Sequence, residues 1–158
     1  MAARRLIREL AAFSADPNPA LALLEPTSSS NLFQWRAVLR GPAAPSPYEG
    51  GLWEIIISIP ESYPLSPPTM KFKTKIVHPN IHLETGEVCL DVLKSQWSPA
   101  WTISSACTAV QAMLSDPEPD SPLNVDAANL LRCGEFSGYN ALIHYYIITY
   151  GLSEKEAC

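Results

Sequence analysis

Two runs of alternating apolar residues, close together in the chain, limit what this sequence can fold into. Over residues 32–39, Phe33, Trp35, Ala37 and Leu39 alternate against Gln34 and Arg36; over 52–59, Trp53, Ile55, Ile57 and Ile59 share a face opposite Glu54 and Ser58. Successive side chains of a strand point to opposite faces, so each run predicts a strand with one face in a core. Gly41-Pro42 and Gly50-Gly51 punctuate between the runs, and consecutive strands with short connections favour antiparallel pairing. The apolar run over 21–24 adds a strand before them and residues 69–72 add one after, which predicts a four-stranded antiparallel meander.

Helical periodicity frames this sheet. Leu6, Leu10 and Phe13 recur at i, i+4 and i+7, the stripe of an amphipathic N-terminal helix, and Asp16-Pro17-Asn18-Pro19 stops it. C-terminal helices are expected over 103–114 with Thr102 as N-cap, over 125–132, and from 135 to 150; Asp116-Pro117-Glu118-Pro119 separates the first two. Residues 76–101 follow neither period. So long an irregular stretch in a compact domain is usually functional or disordered, and His78, Asn80, Cys89, Trp97 and Trp101 make it too rich for disorder. The whole reads as one α+β domain over residues 1–158.

Composition excludes several function classes. With 47% hydrophobic and 17% charged residues the chain is a folded body. A formal net charge of -5 argues against nucleic acid as the main partner. No apolar run reaches the roughly 18 to 20 residues of a membrane span, so direct membrane insertion is not expected. Glu9 interrupts the apolar N-terminal segment and no small-residue cleavage site follows, so no targeting peptide is read there. Cys89, Cys107, Cys133 and Cys158 show no C-x-x-C spacing; they read as free thiols of a reducing compartment, one of them a candidate nucleophile. His78, His82 and Cys89 lack metal-ligand spacing, and no metal is expected. Trp97 and Trp101 read as packing residues that lock a long loop, Cys107 as a buried residue of its helix, and Cys133 as a packing residue at a helix end.

The irregular stretch carries the chemistry. It reads His78-Pro79-Asn80-Ile81, then Thr85-Gly86-Glu87-Val88-Cys89-Leu90-Asp91-Val92-Leu93, then Trp97-Ser98-Pro99-Ala100. Upstream stands Tyr63-Pro64-Leu65-Ser66-Pro67-Pro68, and downstream Asp116-Pro117-Glu118-Pro119-Asp120-Ser121-Pro122-Leu123. These five motifs, in this order over about residues 3–150, resemble the core of the ubiquitin-conjugating enzymes. The resemblance implies that Cys89 takes ubiquitin's C-terminus as a thioester from a ubiquitin-activating enzyme and passes it to a lysine amine or another thiol. A thiolate is both a good nucleophile and a good leaving group, which suits that exchange. No bound cofactor is implied, since ATP is used by the activating enzyme.

By the same resemblance Asn80 is the candidate oxyanion donor. Its residue type alone reads equally as a loop-organising Asn, and the two roles are compatible. His78 and Pro79 are implied to be structural parts of the motif. Asp91, Asp120 and Ser121 are the polar groups expected on the side from which an acceptor attacks, as well as ordinary turn residues before Pro122. The family often has aspartate where Ser121 stands, and serine supplies no charge there; Asp120 is the nearest substitute. The stretch from Asn80 to Cys89 is also one residue longer than in many relatives, which shifts the loop leading to the cysteine.

The second half, from Asp120 through Asn124-Val125-Asp126 to Asn129-Leu130-Leu131-Arg132-Cys133-Gly134-Glu135, resembles the peroxisomal conjugating enzymes of yeasts. This implies a cytosolic protein held peripherally on the cytosolic face of the peroxisomal membrane by a membrane-anchored peroxin that acts as co-activator. It also implies action with a RING-type ligase on cycling import receptors. The family pattern assigns ligase contact to Arg4, Arg5 and Arg8 of the first helix, to Leu65, and to Ser98, Pro99 and Ala100. Leu65 reads otherwise as a buried plug, and the arginines as a solvated helix face. Three alternative functions carry different signatures. A non-catalytic ubiquitin-binding scaffold of the same fold would lack the cysteine or the His-Pro-Asn triplet, both present here. A cysteine hydrolase would need no activating enzyme, and a carrier of another ubiquitin-like modifier would load a different cargo.

Overall fold

The structure, a computed structural model, describes residues 2–157; Cys158 lies outside them. In chain order the elements are α1 (Ala2–Ala15), β1 (Leu21–Ser28), β2 (Asn31–Arg40), β3 (Leu52–Ser58), β4 (Thr69–Phe72), α2 (Leu90–Lys94), α3 (Ile103–Ser115), α4 (Val125–Arg132), α5 (Phe136–Tyr150) and α6 (Glu154–Ala157). The expected α+β architecture is present, a four-stranded antiparallel sheet in the order β1-β2-β3-β4 with helices before and after it.

Pairing follows the apolar alternation. Trp35 stands opposite Ile57, Ala37 opposite Ile55 and Leu39 opposite Trp53, while Ile55 and Ile57 meet Phe72 and Met70 on β4. All of these are buried on one face, because a one-residue slip would turn each of them to the other side. Helix α3 covers that face with Ile103, Ala106, Cys107, Val110, Met113 and Leu114, a helical stripe buried along its length. Thr102 caps α3 as the sequence predicts: its side chain accepts from the Ser105 N–H, and Ser105 answers with a bond from the Thr102 N–H. Leu6 of α1 is fully buried, with Leu10 and Phe13 packed beside it.

Three features depart from the sequence reading. Val38 lies in the polar register of β2 yet is buried, because Ala157 of α6 returns over it and Leu52. Cys133, expected to pack at a helix end, is exposed; it follows α4 just before Gly134, whose φ of 71° ends the helix in the left-handed region. Within the irregular stretch α2 forms a single short helix directly after Cys89, too brief to leave a period in the sequence.

Candidate active site

Residues 76–89 are anchored in the core by Ile76, Val77, Ile81 and Val88, and the His-Pro-Asn triplet adds a set of polar ties. His78 is fully buried. Its Nδ1 accepts the Asn80 N–H at 3.0 Å, which leaves the proton on Nε2 to donate to the Met113 carbonyl of α3 at 2.9 Å. Burial pushes its pKa down to about 4, the Met113 bond working weakly the other way. The ring is therefore neutral and both nitrogens are occupied, so His78 is a structural bridge and has no nitrogen free to act as a base toward Cys89. The buried Pro79 accepts on its carbonyl the N–H groups of Leu123 and Asn124, at 2.8 and 3.0 Å.

Asn80 completes the clamp. Its Oδ1 accepts the Glu118 N–H at 2.8 Å, and its Nδ2 donates to the carbonyls of Glu118 at 2.8 Å and Ser121 at 3.3 Å. One amide thus holds the 118–121 loop by three bonds, the loop-organising role that its residue type predicts. Its backbone carbonyl accepts the Cys89 N–H at 2.9 Å, so the cysteine is positioned from the same residue.

The loop before Cys89 is held by its own residues and by β4, whose Phe72 N–H donates to the Gly86 carbonyl at 2.8 Å. The Nδ1 of His82 accepts from the N–H groups of Glu84 and Thr85, at 3.2 and 3.1 Å. Gly86 sits at φ 77°, and a Cβ there would come within 1.9 Å of the Phe72 carbonyl oxygen. Only glycine fits so close an approach to β4.

Cys89 is half-buried and opens on a groove of roughly 470 Å³ that runs between α2, α3 and the 116–121 loop. Its lining includes Asn80, Cys89, Asp91, Asp116, Glu118 and Ser121. The structure therefore brings together four of the five residues expected at the reacting centre, and Asp120 is the exception. That aspartate is exposed, does not line the groove, and donates its N–H to Glu118 Oε1 at 3.4 Å. Glu118 and Asp116 line the groove instead. Both stand in the Asp-Pro-Glu-Pro motif, but sequence order does not say which of its acidic residues line the groove. The other cysteines differ in setting. Cys107 is buried, and burial alone pushes its thiol up to about 12.

Of the residues that the family pattern gives to ligase contact, Arg5, Arg8 and Ala100 line one groove. Leu65 is 77% exposed, more than a buried plug allows. Pro99 and Ala100 are exposed and Ser98 half-buried, its hydroxyl accepting the Ala100 N–H at 3.2 Å. Trp97 donates its indole N–H to the Pro64 carbonyl at 2.9 Å and meets Trp101 and Tyr63 at ring-centroid distances of 6.1 and 5.8 Å. The tryptophans lock the loops, as expected of them. Arg4 and Arg8 are exposed, whereas Arg5 is half-buried, pairs with Glu9 at 2.9 Å and donates to the Trp101 carbonyl. Glu9 is the hub that the sequence did not reveal. It also accepts from the Tyr63 hydroxyl and from the Ile103 N–H at the start of α3, at 2.9 Å.

A family model described as ubiquitin-conjugating enzyme matches residues 5–146. The chain belongs to the ubiquitin-conjugating enzymes. It is 50% identical over 132 residues to Protein PEROXIN-4 of Arabidopsis thaliana, which covers 84% of this chain and 81% of that one. It is 48% identical over 153 residues to Ubiquitin-conjugating enzyme E2 16 of Schizosaccharomyces pombe, covering 97% and 95%. Among solved structures, the ubiquitin-conjugating enzyme Pex4p of H. polymorpha, determined in complex with the soluble domain of Pex22p, superposes with a TM-score of 0.88 at 39% identity, covering 95% and 98%. Within this ubiquitin-conjugating enzyme, among the described cysteines, Cys89 is the one set beside the His-Pro-Asn triplet.

Proposed function

We propose that Cys89 carries ubiquitin as a thioester and discharges it in a peroxisomal pathway. The observation that carries the first part is the position of Cys89: half-buried at the mouth of a groove, its N–H fixed by Asn80. The thiolate attacks the carbonyl carbon of ubiquitin's C-terminus; a new C–S bond forms as the bond to the activating enzyme's sulfur breaks. ATP is spent by that enzyme, and no cofactor is needed here. In the second step the acceptor attacks the same carbon and Cys89 leaves as thiolate. Asn80 serves as oxyanion donor by lending the amide proton now bonded at 3.3 Å to Ser121, the longest of its three bonds.

The peroxisomal part rests on the relatives. Similarity to PEROXIN-4 and to a Pex4p that was solved with a Pex22p domain supports attachment to a membrane-anchored peroxin as co-activator. No helix among the described residues is long and apolar enough to cross a membrane, which fits peripheral attachment on the cytosolic face. Import receptors, modified with a RING-type ligase, are the proposed substrates. Exposed Leu65, with Pro99 and Ala100, supports that ligase contact.

The test is a loading assay with activating enzyme, ubiquitin and ATP, run on non-reducing gels. An adduct that requires ATP, disappears with thiol reductant and is absent from Cys89→Ala establishes the carrier step. A well-folded wild-type protein that forms no adduct sinks it.

A further inference from the structure

We propose that Glu9 is a positioning residue for ligase recognition, one that sets the Leu65 loop against α1 before a ligase arrives. The inference rests on the ligase contact proposed for Leu65, Pro99 and Ala100. Glu9 lies on α1 with its side chain only 10% exposed. A carboxylate this deep is costly unless both oxygens are partnered, and here both are. Oε1 accepts from the Arg5 Nε at 2.9 Å and from the Tyr63 hydroxyl, and Oε2 accepts the Ile103 N–H at 2.9 Å. Ile103 is the first residue of α3, where a negative charge also meets the positive end of the helix dipole. One side chain therefore joins α1 to segments 54 and 94 residues away in the chain.

These bonds fix the residues that carry the exposed surface. Tyr63 is buried and stands two residues before Leu65. The Arg5 guanidinium lies 5.5 Å from the Tyr63 ring centroid and the Trp97 ring 5.8 Å from it. Trp97 in turn donates to the Pro64 carbonyl at 2.9 Å, and Arg5 donates to the Trp101 carbonyl. The loops bearing Leu65 and Ala100 are thus fastened to α1 around one carboxylate. Leu65 itself is 77% exposed, so burial does not hold it. Its place is set by the turn that bonds its N–H to the Ser62 carbonyl at 2.8 Å and by the anchored Tyr63 within that turn. Every side chain that must be ordered during association weakens binding; Glu9 completes that ordering in the free enzyme. Glu9 does not line the groove at Cys89, so its effect falls on how tightly the ligase is held rather than on the transfer that follows.

The experiment follows single-turnover discharge of ubiquitin-loaded enzyme to free lysine over a range of ligase concentrations, with a purified RING domain of a peroxisomal ligase that accelerates wild type as the probe. Glu9→Gln keeps the shape and removes the charge. Tyr63→Phe removes only the hydroxyl, and it carries the same test if the charge change unfolds the protein. In both, the RING concentration giving half-maximal stimulation rises about two- to ten-fold, the ordering of one or two released side chains, and the rate at saturating RING domain is retained. Leu65→Ala raises the same concentration, and Glu9→Gln adds less to it in that background than in wild type, as expected of residues acting through one loop. Amide hydrogen exchange quickens over residues 62–66 and 98–102 but not over 78–89. An unchanged half-maximal concentration in both variants, with Leu65→Ala still impaired, overturns the proposal. So does an equal loss at every RING concentration including zero, or full additivity with Leu65→Ala, either of which would mark Glu9 as a packing residue only. If Leu65→Ala responds to the RING domain as wild type does, the ligase contact itself is removed, and this inference falls with it.

Discussion

The sheet and the segment from His78 to Cys89 sit side by side and share one apolar core, but only the second is also fixed by a dense set of polar ties. In β2 and β3 a continuous apolar face carries the structure: Trp35, Ala37, Leu39, Trp53, Ile55 and Ile57 are all fully buried, and their contribution is spread over many contacts. Between His78 and Cys89, Ile81 and Val88 join that core, and a few polar atoms add directed bonds, each with a named partner: Met113, Leu123, Asn124, Glu118 and Ser121. The first kind of order is insensitive to detail and sets stability. The second is sensitive to single atoms and sets where Cys89 and its neighbours stand. The comparison predicts that damage to the sheet is read in unfolding, while damage to the polar clamp is read in catalysis as well.

The largest stability loss should come from the sheet. Ile57→Ala empties a fully buried site between β2 and β4 and should cost about 2 to 5 kcal/mol, measured by urea unfolding. Ubiquitin loading at a temperature where the variant stays folded should remain near wild type. A variant that loses loading while still folded would break the division between the two regions.

Next in size is the pH dependence of the clamp. His78 has a pKa of about 4 in the folded protein against an ordinary value near 6.5. The unfolded chain therefore takes up a proton first as pH falls, so the stability held by neutral His78 is complete above about pH 6.5 and is lost down to pH 4. The full loss is roughly 3 kcal/mol. Unfolding midpoints between pH 7 and pH 4 should show a fall that flattens in His78→Asn; equal slopes in both proteins would mean that other groups carry it.

Asn80→Ala strands the Glu118 N–H and two carbonyls and should cost about 1 to 3 kcal/mol of stability. It should also slow discharge to amines more than it slows loading, in paired single-turnover assays. Equal slowing of both steps would leave Asn80 with the clamp role alone. The smallest stability effect is expected at Leu65→Ala, within about 0.5 kcal/mol because the side chain is solvent-exposed. Ligase-stimulated discharge should nevertheless fall about tenfold while unstimulated discharge holds, as for a small interface anchor. A variant that keeps full ligase stimulation would remove Leu65 from that surface.

Much of this was legible in the chain, and the reason is periodicity. Strand faces in β2 and β3, the Leu6–Leu10–Phe13 stripe of α1 and the Thr102 cap of α3 are local patterns, and local patterns survive as sequence spacing. Cys89, Asn80 and the motifs around them could be picked out because their residue types and order are specific, even where no period exists. What spacing could not carry was direction in irregular backbone and contact across long separations. Spacing did not say which carboxylates of the Asp-Pro-Glu-Pro-Asp turn line the groove beside Cys89: they are Glu118 and Asp116, with Asp120 outside it.

Distance in the chain hid the rest. Val38 is buried on the polar side of its strand because Ala157 folds back over it. Glu9 joins Arg5, Tyr63 and the first turn of α3 through bonds that no window of sequence contains. Local pattern and residue identity were enough for the family and the sheet, and they singled out Cys89 as the proposed nucleophile. Only the tertiary structure decided which polar groups meet, because a hydrogen bond needs atoms brought within about 3 Å at the right angle.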